Sequence, residues 1–417
     1  MFVATFDRAE VSRKTSSVLA LLILALTVSI VLKAVWTPLT YDEAYTFFAY
    51  PGGKDIFDVS LANNHPLNSA LLQVTTALGG RSELAIRFPN VVAGAAYLAL
   101  AAAVANSTES PILSFSLLAF NPYLLEFFSL ARGYGIATCF VLLALYVYFF
   151  ARPRFAFLYG CVALVAASFA IYIVVVLLAI FILVAGCREW RKTDTLSRRA
   201  LVAGVAAVCI AAIFPAWATL EVTVPGKPLV GETVGDALML LRGFLTMYYS
   251  EWTLGSDRGA RVFLVGVAFF LPLVGFIWFS RRTWMLLGIT VLGFTALYGL
   301  PALTGRPWPV GRVLLPFVPP LLLASISAWD DVLRRLTFLR VGVPIAVFAW
   351  MAGNMLSTYA IDRTRDWESN KVLPELVRDA VVRQQCIAKR PENLAFVYYE
   401  EAFAKKMNLP KLTICPN

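Results

Sequence analysis

Acidic and guanidinium side chains stand beside several long apolar runs of this chain. Asp42 and Glu43 are adjacent and follow the first run. Arg87 and Arg132 each stand where a later run begins. Arginine binds phosphate oxygens through paired N–H groups, and a carboxylate can take the proton of an attacking hydroxyl. These residue types therefore favour chemistry on an amphiphilic substrate that carries a phosphate.

The composition indicates that membrane helices position these side chains. Of 417 residues, 59% are hydrophobic and only 15% are charged, which is too little charge to cover the surface of a soluble domain of this size. This excludes a soluble enzyme, a secreted disulfide scaffold and a disordered chain. The formal charge of +10 lies between apolar runs, so anionic lipid headgroups are its expected partners and nucleic acid is not.

Ten apolar runs contain no Asp, Glu, Lys or Arg, and a helix needs about 20 such residues to cross a bilayer. The run 155–187 is too long for one helix, so we split it near residues 169–172 and predict eleven transmembrane helices. The first run follows basic residues as a signal peptide would, but it lacks a convincing cleavage site, and we expect it to be retained. The runs are 15–32, 88–108, 110–125, 133–151, 155–187, 200–220, 262–280, 283–305, 313–329 and 341–361.

An odd number of spans puts the two termini on opposite sides of the membrane, and the positive-inside rule places the N-terminus in the cytoplasm. We therefore predict an all-α, multi-pass protein of a bacterial inner membrane. Residues 1–361 form its transmembrane domain, and residues 362–417 form a small C-terminal region outside the cytoplasm. The first outer loop, 37–81, contains short amphipathic stretches at 44–50 and 67–78 that suit the membrane interface. The inner side receives Arg8, Arg13, Lys14, Arg152, Arg154, the cluster 188–199, Arg281, Arg282, Arg334, Arg335 and Arg340.

Two of the six cysteines, Cys386 and Cys415, lie in the outer C-terminal region. An oxidising compartment permits a disulfide between them, which would close a loop of about 30 residues and contribute about 3–4 kcal/mol. We predict this pairing and give it only a stabilising role. The other four cysteines lie in or beside apolar runs and show no metal-ligand spacing.

With this topology, the candidate functional residues gather at the outer ends of the helices. Charged groups near a membrane are costly, so such a cluster indicates function. A lipid-linked sugar phosphate fits it, and no nucleotide-binding glycine-rich motif is present. The candidates are Tyr41, Asp42, Glu43, Asn64, His65, Arg87, Arg132, Tyr134, Arg306 and Arg312.

Four groups of residues, taken in order, resemble the GT-C glycosyltransferases. The nearest resemblance is to the branch that contains aminoarabinose transferases, protein O-mannosyltransferases and the RgtA/B/C/D-like bacterial proteins. It covers mainly residues 30–150, with support from residues 305–325, where the sequence reads GRVLLPF from Gly311. The four groups are the Asp-Glu pair at 42–43, the sequence NHPL at 64–67, the sequence ELAIRFP at 83–89, and the Asn-Pro at 121–122 followed by RGY at 132–134.

The resemblance implies an inverting transfer of a sugar from a polyprenyl-phosphate donor, such as undecaprenyl phosphate, to a glycan, lipid or protein acceptor on the outer face. Asp42 would be the general base. Glu43 would hold the acceptor, orient Asp42 or share the base role, and the sequence does not separate these. Arg87 and Arg132 would bind the donor phosphate beside Tyr134. The weaker candidates Arg306 and Arg312 share this role, and Tyr41, Asn64 and His65 would line the substrate pocket.

Each of these residues also has a plainer interpretation. The Asp-Glu pair could be an ordinary helix start, because acids favour helix N-termini. A lone histidine before proline is more often a turn residue than a ligand, and an arginine at a span end often reaches toward the interface. We expect no metal centre, although some relatives use a divalent cation and metal dependence stays open.

Two other classes of function compete with a glycosyltransferase. A flippase or transporter of lipid-linked glycans also needs many helices and phosphate-binding arginines, but it predicts charges near the midplane and two related halves. An oligosaccharide ligase or polymerase would use a pyrophosphate-linked donor. The sequence leaves open the sugar, the acceptor, the oligomeric state and the role of the C-terminal region.

Overall fold

The computed structural model describes residues 8–50, 55–58, 64–192, 195–221, 278–304, 311–359, 361, 373–382 and 399, and within these ranges the chain is helical without any strand. Two π-helices, Val147–Ala151 and Ile182–Gly186, continue α7 and α9, and a 3-10 helix, Gly311–Phe317, precedes α14. The α-helices are α1 (Arg8–Trp36), α2 (Tyr41–Ala49), α3 (Pro66–Ala77), α4 (Glu83–Ala105), α5 (Pro111–Ala119), α6 (Pro122–Phe128), α7 (Gly133–Tyr146), α8 (Ala156–Ala170), α9 (Val174–Phe181), α10 (Cys187–Lys192), α11 (Thr195–Ala211), α12 (Ile213–Glu221), α13 (Arg281–Thr304), α14 (Val318–Arg335), α15 (Leu339–Thr358) and α16 (Leu373–Val382).

Several of these helices are long and apolar enough to cross a membrane. Within the described ranges, five helical stretches pass this test, and the number rises to seven if each of two bent helix pairs counts as one span. The length and apolar composition of these helices therefore indicate a multi-pass membrane protein. The five stretches are Ser16–Trp36, Glu83–Ala105, Gly133–Ala151, Arg312–Arg335 and Leu339–Leu356, and the pairs are α5 with α6 and Arg198–Ala211 with Ile213–Thr219.

The predicted count of eleven spans stays a prediction. Residues 222–277, which include most of the apolar run 262–280, lie outside the described residues. The run 155–187 is interrupted where we predicted it, because α8 ends at Ala170 and α9 begins at Val174.

Contacts between residues distant in sequence identify the two ends of the helical bundle. At one end, Arg87 at the start of α4 donates to the Ala34 carbonyl near the end of α1, at 3.0 Å. At the other, the Glu109 N–H that precedes α5 donates to Asp330 near the end of α14, at 2.6 Å. We name these the Asp42 end and the Asp330 end.

Small residues let the central helices approach closely. A Cβ atom on Gly94 of α4 would lie 2.8 Å from Cβ of Phe128, and one on Gly160 of α8 would lie 2.9 Å from the Phe181 ring. Glycine at such points allows the van der Waals contact that holds membrane helices together. The close packing of α4, α7 and α8 supplies a rigid support for the Asp42 end.

A sharp bend separates α5 from α6. The two helices meet at 62°, and Asn121 caps α6 because its side-chain oxygen accepts the Leu124 N–H at 2.9 Å. Pro122 occupies the first helical position, where its missing N–H costs nothing. The bend brings residues 129–132 to the Asp42 end, directly before α7.

The Asp330 end contains buried acids paired with residues that we had interpreted as topology signals. Asp330 binds Arg282 at 2.8 Å and Arg334 at 3.0 Å. Asp331 accepts from the Ser280 N–H at 2.8 Å and from the Thr283 hydroxyl. These contacts tie the start of α13 to the end of α14.

Candidate functional site

The two adjacent acids lie in the first turn of α2, where a reciprocal cap holds the helix start. The Thr40 N–H donates to Glu43 Oε2 at 2.9 Å, and the Glu43 N–H donates to Thr40 Oγ1 at 3.3 Å. Acidic side chains at this position also interact favourably with the helix dipole. Successive residues of a helix point about 100° apart, so Asp42 and Glu43 face different partners.

Glu43 forms a fully buried ion pair with Arg87. The guanidinium donates from Nε to Oε1 and from Nη2 to Oε2, both at 2.8 Å. Its remaining three N–H groups donate to the carbonyls of Ala34 (3.0 Å), Thr37 (2.6 Å) and Pro38 (3.0 Å). A guanidinium has five N–H groups, so all of those of Arg87 have an acceptor inside the protein.

The carboxylate of Glu43 is equally well satisfied. It accepts the Ala131 N–H at 2.7 Å in addition to Thr40 and Arg87. Burial by itself would raise the pKa of Glu43, but the Arg87 charge and these hydrogen bonds hold that pKa below its ordinary value. Glu43 is therefore a buried, ionised anchor that joins α2, α4 and the segment before α7.

An amide network that the sequence analysis missed fixes the same segment from its other side. Asn68 donates to the Ala131 carbonyl at 3.1 Å and accepts from Asn90 at 2.9 Å. Asn90 lies one helical turn after Arg87, and Asn68 lies one turn after His65. This spacing of one helical turn is the sequence signal that could have added both asparagines to the predicted site. With its N–H and its carbonyl both bound, the Ala131 peptide sets the position of Arg132.

Asp42 faces a different pair of guanidinium groups. Its Oδ2 atom lies 2.7 Å from Arg132 Nη1 and 3.2 Å from Arg312 Nη2. The exposed fraction of the side chain is 10% for Asp42, 1% for Arg132 and 28% for Arg312. This cluster joins residues 270 positions apart and, unlike the Glu43 pair, is partly open on the Arg312 side.

Tyr134 lies at the centre of this cluster. Its ring centroid is 5.7 Å from the Arg132 guanidinium carbon and 6.0 Å from that of Arg312. The His65 ring packs edge-on against it at 5.2 Å. An aromatic face attracts both cations, so Tyr134 holds the two guanidinium groups close together next to Asp42.

His65 is buried beside the two arginines and donates to the Ala170 carbonyl. Burial, and then the positive charges of Arg132 and Arg312, lower the pKa of His65 well below its usual value despite this hydrogen bond. This lowered pKa favours the neutral form of the imidazole. Its Nε2 atom is buried and has no hydrogen-bond partner within the described part of the chain.

Gly133 leaves room for this arrangement. A Cβ atom there would lie 2.2 Å from the Ala170 carbonyl oxygen and 3.0 Å from Cβ of His65, so any side chain would displace α8 or the histidine.

The other predicted residues have different surroundings. Asn64 donates to the carbonyls of Ile56 and Asp58, each at 2.7 Å, and so braces the first loop. Tyr41 precedes Asp42 and is 42% exposed. Arg306, Cys386 and Cys415 lie outside the described residues.

A second buried ion pair was not among the predicted site residues. Lys33, in the last turn of α1, lies 3.7 Å from Glu126 of α6, and its ammonium group lies 4.9 Å from the centroid of the Tyr359 ring. A lysine inside an otherwise apolar span was the available signal. The pair joins α1, α6 and the end of α15 near the Asp42 end.

Two residues that follow α15, Ile361 and Tyr399, also contact this end. The Leu39 N–H donates to the hydroxyl of Tyr399 at 2.8 Å, and the Thr37 hydroxyl donates to the Ile361 carbonyl at 2.9 Å. Both contacts hold the short segment that leads into α2.

No family model, curated protein or solved structure matches this chain. The chemistry of the site must therefore be argued from its own geometry. Within the described ranges, no group of three His, Cys, Asp or Glu side chains could hold a metal ion. The arrangement can bind an anionic oxygen between Arg132 and Arg312, and it can accept a proton on Asp42.

Proposed function

We propose that this chain is an inverting glycosyltransferase that moves a sugar from a polyprenyl-phosphate donor to an acceptor at the outer face of the membrane. The observation that carries the proposal is the Asp42 carboxylate held 2.7 and 3.2 Å from two guanidinium groups at one end of an apolar bundle. Such a transfer needs two things from the protein: cationic groups that bind the donor phosphate and a group that accepts a proton.

In the proposed reaction, the acceptor hydroxyl oxygen attacks the anomeric carbon of the donor sugar. The bond between that carbon and the phosphate oxygen breaks, and its electron pair leaves with polyprenyl phosphate. Arg132 and Arg312 stabilise the growing charge on this phosphate, and Asp42 receives the proton of the hydroxyl. Attack opposite the leaving group inverts the anomeric configuration.

Arg132 and Arg312 contact the Asp42 carboxylate directly. The carboxylate then occupies the position that we assign to a phosphate oxygen. When the donor phosphate binds to Arg132 and Arg312, it competes with Asp42 and releases the carboxylate for the acceptor. The donor therefore binds before Asp42 becomes an effective base.

His65 and the Glu43 pair take supporting roles in this proposal. The neutral imidazole presents Nε2 as an acceptor for a sugar hydroxyl. Because every N–H of Arg87 is already bound inside the protein, we assign Arg87 to fixing the position of Glu43 and not to the donor phosphate. Of the three roles that the sequence left open for Glu43, this geometry favours orientation of Asp42.

The finer topology belongs to the same proposal. With eleven spans and a cytoplasmic N-terminus, the Asp42 end faces the outside of a bacterial inner membrane. The abundance of basic residues at the Asp330 end supports this orientation.

The test uses purified full-length protein in detergent with radiolabelled polyprenyl-monophosphate and polyprenyl-pyrophosphate sugars. We expect cleavage of the monophosphate donor only, with loss of that activity in Asp42→Asn. Asp379→Asn, which changes an exposed carboxylate on α16, is the matched control and should behave as wild type. Cleavage of the pyrophosphate donor alone would favour a ligase or polymerase, and movement of lipid across vesicles without cleavage would favour a flippase.

A further inference from the structure

A groove lies toward the Asp330 end of the bundle, away from the Asp42 cluster. It has a volume of about 620 Å³, within the range of about 300–1,000 Å³ typical of ligand pockets. Three helices and the π-helix Ile182–Gly186 form its walls. The lining includes Phe157, Gly186, Trp190, Arg191, Leu201 and Val205, so the walls are apolar and a guanidinium group stands among them.

Two π-helices meet beside this groove. The Tyr148 hydroxyl, from the π-helix Val147–Ala151, donates to Glu189 at 3.0 Å and contacts the Ala185 carbonyl at 3.4 Å. A π-helical turn is wider than an α-helical one and occurs frequently at functional sites. At Gly186, where the second π-helix ends, a Cβ atom would approach the Phe157 ring to 3.3 Å. The groove therefore depends on local departures from regular helix.

The sequence beside the groove carries an excess of basic residues. Residues 188–199 contain five basic and two acidic side chains. Arg198 packs its guanidinium 5.3 Å from the Trp190 ring centroid, which places a second cation next to the lining. The Nε atom of Arg198 is buried and has no hydrogen-bond partner in the part of the chain that the structure describes. An anion is the ligand that would satisfy it.

We propose that this groove binds an anionic glycerophospholipid. One acyl chain lies against the apolar walls, and the phosphate pairs with Arg191 and Arg198. Basic pockets between membrane helices recognise anionic headgroups in this way. The proposal does not depend on the proposed function, because the groove and the Asp42 cluster share no residue.

Two exposed cysteines on neighbouring helices allow a direct test. Cys187 lines the groove, whereas Cys209 is not among its lining residues. Purified full-length protein in detergent is treated with a maleimide in the presence of dioleoyl phosphatidylglycerol or dioleoyl phosphatidylcholine. Peptide mass spectrometry then gives the labelling rate at each cysteine, with Cys209 as the internal reference.

We expect phosphatidylglycerol to protect Cys187 at a concentration roughly 25-fold lower than phosphatidylcholine, about 5-fold for each arginine near the phosphate. In the double variant Arg191→Gln with Arg198→Gln, the two lipids should protect Cys187 at similar concentrations. Arg154→Gln, which removes an exposed charge outside the groove lining, should keep the difference. Gly186→Phe should abolish protection by both lipids because it fills the groove.

Several results would overturn the proposal. These are equal protection by the two lipids in wild type, no protection at all, protection of Cys209 to the same degree, or protection by inorganic phosphate alone. If Gly186→Phe fails to fold, the single variant Arg191→Gln still decides the outcome, because that side chain is exposed. It should narrow the difference between the two lipids to about 5-fold.

Discussion

Two acidic residues stand side by side in α2 and have very different surroundings. Glu43 and Arg87 are fully buried, and their polar atoms contact only the protein. Asp42 contacts two guanidinium groups, one of which is 28% exposed. The difference shows that neighbours in sequence can divide two tasks, because helix geometry turns one carboxylate into the core and the other toward the opening.

The comparison also separates stability from activity. Removing one partner of a buried ion pair leaves the other charged and unpaired, which costs much more than losing a partly exposed pair. We therefore expect substitutions at Glu43 to act on folding, and substitutions at Asp42 and Arg312 to act on turnover as well, with the smaller cost in stability at Arg312, the more exposed of the two. The following four predictions test this division, from the largest expected effect to the smallest.

Glu43→Gln should destabilise the protein by about 3–5 kcal/mol, because Arg87 keeps a buried charge without its counterion. The measurement is the free energy of unfolding in detergent. Glu83→Gln, which changes a partly exposed acid in the first turn of α4, should alter that free energy by about 0.5 kcal/mol or less. Equal stability of Glu43→Gln and wild type would contradict the structural role of the Glu43–Arg87 ion pair.

Asp42→Asn should lower the rate of sugar transfer by about 10²–10⁴-fold, the usual contribution of a general base. Donor binding should be unchanged or tighter, because the amide no longer competes with phosphate for the two arginines. Single-turnover kinetics and a donor-binding assay separate the two quantities. Weaker donor binding in this variant would contradict the proposed competition.

Arg312→Gln should raise the KM for the donor by roughly 10-fold, because it removes a charge-assisted hydrogen bond to the phosphate. Arg312→Lys should retain part of the affinity, since it keeps the charge and loses the planar fork. Arg340→Gln at the Asp330 end is the control. An effect on acceptor KM alone would place Arg312 in the acceptor pocket instead.

His65 should give the chain a specific dependence of stability on pH. Its pKa is lowered in the folded protein, so below about pH 6.5 the unfolded chain binds a proton that the folded chain does not. Stability should therefore fall with decreasing pH, by about 1.4 kcal/mol per pH unit, until the lowered pKa is reached.

The measurement is the difference in unfolding free energy between wild type and His65→Gln from pH 7.5 to 5. The difference should shrink as the pH falls, since the variant lacks this group. A constant difference across that range would mean that the histidine is not held neutral.

Much of the helical organisation could be predicted from the sequence because apolar runs report directly on span positions. The break between α8 and α9 was also predictable from run length alone. The same reasoning brought Asp42, Arg132 and Arg312 to one end of the bundle, and the structure places them in contact. It did so because charged residues beside apolar runs must lie near helix ends.

The separate roles of Asp42 and Glu43 could not be predicted in this way. Two adjacent acids have the same chemistry on paper, and only the three-dimensional count of N–H donors shows which one is already satisfied. Arg87 posed the same problem, because the three carbonyls that occupy it belong to residues 34, 37 and 38. The type of a residue does not show whether its backbone carbonyl will accept a hydrogen bond from a distant side chain.

The grip of Arg87 on three backbone carbonyls also has a consequence for biogenesis. Residues 34–38 leave the ribosome well before Arg87 does, so their final path cannot be fixed until the second long apolar helix has entered the membrane. We expect truncated chains that end before residue 87 to expose the 37–43 segment to protease, and chains that extend beyond α4 to protect it. The first turn of α2 thus reaches its final position only after a later part of the polypeptide, the one that contains Arg87, has entered the membrane.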